Sequence, residues 1–373
     1  MLLRKISSLL CVFCVAGGIS FDGLSNQTDP FEVEEVVAEI AYPWSMTFIS
    51  DNQFLVTQRS GFLRHVVNKT VGAPVKGLPD DIYFNGQGGL LDIVLHPDYL
   101  ENGWIYLSYS AGNDKSNTLK VIRAKLQDNQ LVDLQTILVV NPSRDTPVHY
   151  GAKMAFLGDN TLLITSGDGF DYREDAQRLN NQMGKILRIN DDGSIPVDNP
   201  FAGDPKQPLA NSVFSVGHRN PQGLVYDANR GLVYSHEHGP AGGDEINVIK
   251  PGKNYGWPVI TYGRDYSGAS ISPFTTYPGM EQPLVDWTPS IAPSAMVVYN
   301  GQEFPQMRGD LLVTTLKAKE LRWVKMSGNK AVEQQSLLTD LGYRLRDIKV
   351  HPDGSIYLLT DGGKILRLTA KLD

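Results

Sequence analysis

The chain has 373 residues, 41% hydrophobic and 20% charged, with 36 glycines, 22 prolines and a net charge of −7. This is a globular composition, long enough to bury a large core, and the lack of any long basic run argues against a nucleic-acid surface. Glycine and proline are plentiful and spread along the chain, which indicates many turns rather than a linker.

Residues 1–20, MLLRKISSLLCVFCVAGGIS, read as a secretory signal peptide. Arg4 and Lys5 give a positive start, Ile6 to Val15 an apolar run, and Ala16, Gly17, Gly18 and Ser20 the small residues a peptidase needs. The run is too short to span a bilayer comfortably, so no stable membrane span is expected in the mature chain. It also continues past Cys11 and Cys14 instead of stopping at a cysteine, unlike a lipoprotein leader. Both cysteines fall inside it, so the mature protein is expected to lack thiols and to be periplasmic or secreted.

The next segment, FEVEEVVAEI from Phe31, alternates like a strand but belongs to no complete repeat. Beyond it one phrase returns six times: apolar alternation, a polar turn, and alternation again. The copies start at Trp44, Leu90, Ala152, Gln222, Ser294 and Leu345. Alternation with period two marks half-buried strands, and turns such as Asp353-Gly354 join them as hairpins. Helical signals are scarce, the best being a short stretch from Arg173. An all-β, six-bladed β-propeller of four-stranded antiparallel blades, filling 21–373 as a single domain, satisfies both facts. The Phe31 segment is expected to pair with the last blade and close the ring. Uneven spacing of the copies implies long insertions, where function is expected.

Four constellations lie in those insertions. His149 precedes a predicted strand in VHYGAKMAF and is either a structural histidine or a general base. His96 and His351, by contrast, sit in HPD turns, where hydrogen bonding to the turn explains them. In GHRNPQG, Arg219 beside Asn220 offers a rigid fork of donors for a carboxylate or phosphate, or equally for loop carbonyls. In HEHGPAGGDEIN, from His236 to Asn247, the oxygen donors Glu237, Asp244, Glu245 and the turn carbonyls at Gly239 and Pro240 suit Ca²⁺ better than zinc, with a plain acidic loop as the alternative. Lastly, Lys317, Arg344 and Arg346 form a cationic set. Arg344 and Arg346 alternate about Leu345, and side by side they repel unless an anion lies between them. Pairing with Asp347 or Asp340 is the structural alternative. No Walker loop, dinucleotide fingerprint, GxSxG or haem attachment motif is present.

Taken together, GQGGLLDIVLHPDY, GHRNPQG, EHGPAGGDEIN, NYGWPVITYG and YRLRDIKVHPDG resemble the soluble aldose sugar dehydrogenases that use pyrroloquinoline quinone (PQQ). The resemblance runs in order from about Pro43 to the C-terminus. It implies a propeller with PQQ and Ca²⁺ in a cleft on one face, oxidising an aldose at C1 to the lactone and passing electrons to an external acceptor. Carried over by residue, it implies that Gln87 hydrogen-bonds PQQ and that His149 takes the anomeric hydroxyl proton. Arg219 and Asn220 line the cofactor and the reacting oxygen, so that His149 and Arg219 are the implied catalytic groups. The Gly239 and Pro240 carbonyls ligate the catalytic Ca²⁺, while Glu245 and the Tyr255 carbonyl match a second, structural Ca²⁺. Tyr266 borders PQQ, and Lys317, Arg344 and Arg346 hold its carboxylates and quinone oxygens. The chain departs from the pattern at Val148, where glucose dehydrogenase has an acid, at Lys153, where many relatives have Arg, and at Ser290, where the glucose enzyme has Thr. Any orientation or basicity that the missing acid supplies must come from elsewhere. A Ca²⁺-dependent propeller lactonase and a non-catalytic binding propeller are the alternatives; the first leaves the cationic set without an anion, the second leaves His149 without a task.

Overall fold

The structure, a computed structural model, describes residues 29–371; the predicted leader and both cysteines lie outside them. Six four-stranded antiparallel sheets make up the fold. The innermost strands are Pro43–Ser50, Leu90–Leu95, Gly151–Phe156, Pro221–Asp227, Pro293–Val298 and Leu345–Val350. Each begins within one residue of a predicted repeat start. Each also packs against the next around a ring, the sixth against the first. Among the described residues, no helix is long and apolar enough to cross a membrane.

The ring closes as expected. Phe31–Val37 pairs antiparallel with Ile365–Ala370, from Phe31 opposite Ala370 to Val37 opposite Ile365, so the last blade takes its outer strand from the N-terminal side. An outer edge that would otherwise be open is thereby covered. The stretch from Arg173 forms only a five-residue 3-10 turn, Arg173–Gln177.

One expectation needs correction. The inner and second strands are buried on both faces; Leu162–Ser166 and Leu311–Thr315, for example, are buried at every position. Each blade is sandwiched between two neighbours, so its inner half has no solvent face. Alternation toward solvent survives farther out, as in the third strand Ser116–Gln127. The core accordingly straddles blades: Leu55 and Leu63 pack with Ile93, Ile105 and Leu107, and Leu312 and Leu321 with Ile348 and Leu358. At about 1.5–3 kcal/mol for each fully buried aliphatic side chain, such seams hold the described part of the chain, which contains no cysteine.

A charged bolt crosses the axis. Lys153 Nζ lies 3.3 Å from Asp347 Oδ1 and 3.6 Å from Asp92 Oδ1, with all three side chains buried. Asp347 also accepts the N–H of Met46 at 3.0 Å, and Asp92 that of Met154 at 2.8 Å. Each carboxylate therefore ties its own blade to the next one, and Lys153 bridges the two while Lys349, 3.7 Å from Asp347, supplies the second positive charge.

Candidate active site

Antiparallel blades bring two sets of positions to one end of the axis: those just before an inner strand and those just after a second strand. Gln87, His149, Arg219, Asn220 and Arg344 belong to the first set. Arg59, Asp168, His238, Lys317 and Asp361 belong to the second. His96 and His351 follow inner strands and so lie at the other end. There they cap turns as expected, accepting the N–H groups of Asp98 at 3.0 Å and Asp353 at 3.3 Å.

A cavity of about 310 Å³ opens at the first end, lined by Trp44, Arg59, Gln87, Leu91, Tyr150, Asn220, His238, Leu316, Arg344 and Arg346 among others. Its size is at the lower end for a small-molecule site. A larger groove of about 490 Å³, lined by Glu39, Gln58, Arg64 and Gly363, holds none of the predicted residues.

Arg344 and Arg346 do converge, but the protein supplies the anion between them. Asp361 accepts Arg344 Nε at 2.8 Å and Arg346 Nε at 2.7 Å. Asp347, the alternative partner, belongs to the axial bolt instead. Arg59 lies near this group; burial and the Arg346 charge push its guanidinium below its usual pKa. Its side chain is held by the Gly86 and Gly88 carbonyls. Three guanidinium groups against one carboxylate leave a surplus of two positive charges at the cavity wall. Lys317 is exposed beside Leu316 and outside the lining.

His149 is buried and held in a left-handed backbone conformation, φ 53°. Its N–H donates to Gln87 Oε1 at 2.8 Å, which assigns Gln87 a part in fixing the histidine. On the ring, Nδ1 meets Asp168 Oδ1 at 2.7 Å. Since a carboxylate only accepts, Nδ1 carries the proton and Nε2 keeps its lone pair. The second Asp168 oxygen accepts the Trp257 indole N–H at 2.7 Å, and Oδ1 also accepts the Phe170 N–H at 2.8 Å. Burial pushes the His149 pKa below its usual value, with Asp168 opposing and the Arg219 and Arg144 charges assisting. Burial opposes ionisation of Asp168 as well, yet the His149 bond and charge, Arg219 and the Phe170 N–H hold its carboxyl below the usual range. A carboxylate thus orients the imidazole although Val148 supplies none.

Only glycine suits the opening of the 239–243 loop. A β-carbon on Gly239 would sit 2.1 Å from the Gly242 carbonyl oxygen. Asp244 pins this loop, accepting the Gly239 N–H at 3.0 Å, the Ser290 hydroxyl at 2.6 Å and the Ala292 N–H at 2.8 Å. Asp244 is therefore engaged in holding the loop. Glu237 is engaged too, by His218 Nδ1 at 2.9 Å and the Arg219 N–H at 2.5 Å. The Gly239 carbonyl accepts Arg219 Nη1 at 2.9 Å. Glu245 stands opposite Glu237 across the paired strands. Burial and the Glu237 charge raise its carboxyl well above the usual range. Glu245, Tyr255, Gly239 and Glu237 border a void of about 20 Å³, room for a single water or ion. Among the described residues, no group of three or more His, Cys, Asp or Glu side chains forms a metal cage.

Gln87, Asn220, Arg344 and Arg346 thus line one cavity; His149, bonded to Gln87, lies beside it, and Arg219 borders the small void with Gly239, Glu245 and Tyr255, Glu245 being on the strand Asp244–Ile249. Tyr266 is not among the cavity-lining residues; it is 66% exposed and stacks with Phe170. Sequence reasoning missed Arg59, Asp168, Trp257 and Asp361. Aligning the repeats had the signal for three of them: each follows the second strand of its blade, in TQRSG, TSGDG and LTDGG. Nothing in the spacing marks Trp257.

Residues 40–367 match the family model described as glucose/sorbosone dehydrogenase. The aldose sugar dehydrogenase YliI of Escherichia coli K12 is 39% identical over 349 residues, which cover 91% of this chain and 93% of that protein. The crystal structure of the soluble aldose sugar dehydrogenase from E. coli in its apo-form superposes with a TM-score of 0.87 at 38% identity, covering 91% of this chain and all of that one. A PQQ-bound aldose sugar dehydrogenase from Streptomyces coelicolor gives a TM-score of 0.73 at 26% identity, over 91% of this chain and 98% of that one.

Proposed function

The chain belongs to the glucose/sorbosone dehydrogenase family, and from that membership and the cleft we propose that it is a PQQ- and Ca²⁺-dependent dehydrogenase oxidising aldoses at C1 to lactones. The observation that carries this reading is the cleft itself: a surplus of guanidinium charge beside a histidine whose Nε2 is left as a base. PQQ bears three carboxylates, which suits Arg59, Arg344 and Arg346 as charge-assisted donors, with Lys317 nearby. Trp44, Leu91 and Tyr150 offer an apolar floor, and Asn220 an amide at the rim.

When bound, PQQ supplies a two-electron acceptor for the hydride leaving C1, and Ca²⁺ a Lewis acid beside it. His149 Nε2 accepts the proton of the anomeric hydroxyl, while Asp168 stabilises the resulting imidazolium and fixes its plane. Arg219, held by the carbonyls of His238 and Gly239, presents positive charge where the sugar oxygen gains negative charge. The Gly239 and Pro240 carbonyls would be the donors for the catalytic ion, the Gly239 oxygen once Arg219 Nη1 releases it. The pair Glu245 and Glu237, two facing carboxylates beside a single-ion void, is the feature that suits a second cation, with Tyr255 completing it. The physiological electron acceptor would be an external protein or small molecule, and the signal peptide expected at residues 1–20 would direct the reaction outside the cytoplasm.

Reconstituting purified protein with PQQ and Ca²⁺ and following dye reduction with a panel of aldoses tests the reading. Quinone-dependent reduction is expected; its absence with every sugar, together with lactone hydrolysis, would favour the hydrolase alternative. For the second ion, Ca²⁺ should raise the Tm of the cofactor-free protein, and Glu245→Gln should abolish that rise.

A further inference from the structure

Phe170 stands in a conformation that a β-carbon disfavours, φ 70°, yet its ring is 38% exposed instead of filling the core. Strain of this kind persists only where the surroundings impose it, and here they do so through the base. The Phe170 N–H donates to Asp168 Oδ1 at 2.8 Å, the same oxygen that holds His149 Nδ1. The ring then meets the His149 imidazole edge-on, centroids 5.3 Å apart at 74°. It also runs nearly parallel to Tyr266, at 18° with centroids 6.4 Å apart. A sugar held between two rings needs roughly 7–8 Å, two carbon contacts of about 3.5–4.0 Å each. Phe170 and Tyr266 are therefore one stacked aromatic pair that starts at the base, too close to hold a sugar between them.

We propose that Phe170 is the residue on which the pyranose ring rests when its C1 hydroxyl faces His149, with Tyr266 stacked beside it. The proposal deepens the dehydrogenase reading and rests on it. A sugar ring has an apolar C–H face, which an exposed aromatic ring recognises, while its hydroxyl rim turns to the polar cleft. Because one carboxylate oxygen positions both the imidazole and the Phe170 backbone, that residue and the base keep a fixed relation. Glycine would occupy this backbone position without strain; an aromatic residue there is explained by what its ring contacts.

The test compares wild type with Phe170→Ala, Phe170→Gly and Phe170→Tyr, all loaded with PQQ and Ca²⁺. Turnover gives KM and kcat for glucose and other aldoses. Calorimetry gives the Kd of 1,5-anhydroglucitol, which keeps the ring but has no oxidisable C1 hydroxyl. Phe170→Ala and Phe170→Gly should raise KM and Kd about three- to tenfold, the size of one lost aromatic contact, with kcat within about threefold. Phe170→Gly should lose no Tm, since it relieves the left-handed strain, and Phe170→Tyr should restore binding. Wild type that oxidises aldoses, with KM and Kd of Phe170→Ala within about twofold of its own, overturns the assignment alone. A fall in kcat and Tm with Kd unchanged also overturns it, showing that Phe170 only supports the loop. Wild type that neither oxidises nor binds any aldose overturns both the assignment and the dehydrogenase reading.

Discussion

His149 and Asp168 share a 2.7 Å hydrogen bond while the far oxygen of Asp168 is held at 2.7 Å by Trp257. With the Phe170 N–H, three donors converge on one buried carboxylate. An amide has a single acceptor oxygen, so Asp168→Asn leaves at least one donor facing an N–H₂ group. It should therefore lower stability by about 1–3 kcal/mol. It also removes the charge that supports protonated His149, so kcat should fall by about 10²-fold or more. Trp257→Phe keeps the charge and should cost far less activity. Steady-state kinetics and thermal unfolding of the two variants check this order.

The depressed pKa of His149 sets a direction for pH. Activity needs the neutral imidazole, so the acid limb of kcat/KM should lie below the usual imidazole value of 6.5. Stability follows the same sign. Above 6.5 neither folded nor unfolded His149 is charged. Below it the unfolded chain takes up the proton first, so stability falls as pH drops toward the folded value. Asp168, also depressed, contributes stability present above its unfolded value of 3.8 and lost as pH falls through the folded one. A pH–rate profile and an unfolding series checks both; an acid limb above 6.5 would contradict the assignment of His149 as base.

Asp361 occupies the place between Arg344 and Arg346 where a bound anion was expected. Arg346→Ala should weaken PQQ binding by about 1.5–3 kcal/mol. Arg344, whose side chain is 49% exposed, should matter less because water screens it. Asp361→Asn should lower the Tm of cofactor-free protein, since two guanidiniums then repel. Adding PQQ should recover much of that loss. Melting curves with and without the quinone read it directly.

Removing Lys153 tests the axial bolt. Lys153→Met leaves Asp92 and Asp347 buried with Lys349, 3.7 Å from Asp347, as the remaining counter-charge, which should cost up to about 3–5 kcal/mol. Because both carboxylates hold backbone N–H groups of neighbouring blades, unfolding should remain cooperative at a lower denaturant midpoint.

The chain alone determined the six-fold repeat, the start of each inner strand to within a residue, and the N-terminal strand that closes the ring. These are local: hydrophobic patterning and turn residues act over a few positions, and a repeated pattern restricts how the copies can assemble. Most of the cleft was also legible, since His149, Arg219 and Arg346 lie in recognisable strings. Partnership was not. Asp168 is 19 residues from His149, and Asp361 is 15 from Arg346, and register shifts at Gly151–Met154 and Leu345–Asp347 keep a simple hairpin count from pairing them. Antiparallel pairing inside each blade decides it: Gly151 lies opposite Ser166 and Leu345 opposite Thr360, so the residues after a second strand end beside those before its inner strand, and radial packing gathers these ends at the axis. The same packing buries both faces of the inner strands, hiding the solvent side that alternation had foretold. The hairpin of Gly151–Phe156 with Leu162–Ser166 delivers Phe170 to His149, and no periodicity in the chain marks that contact.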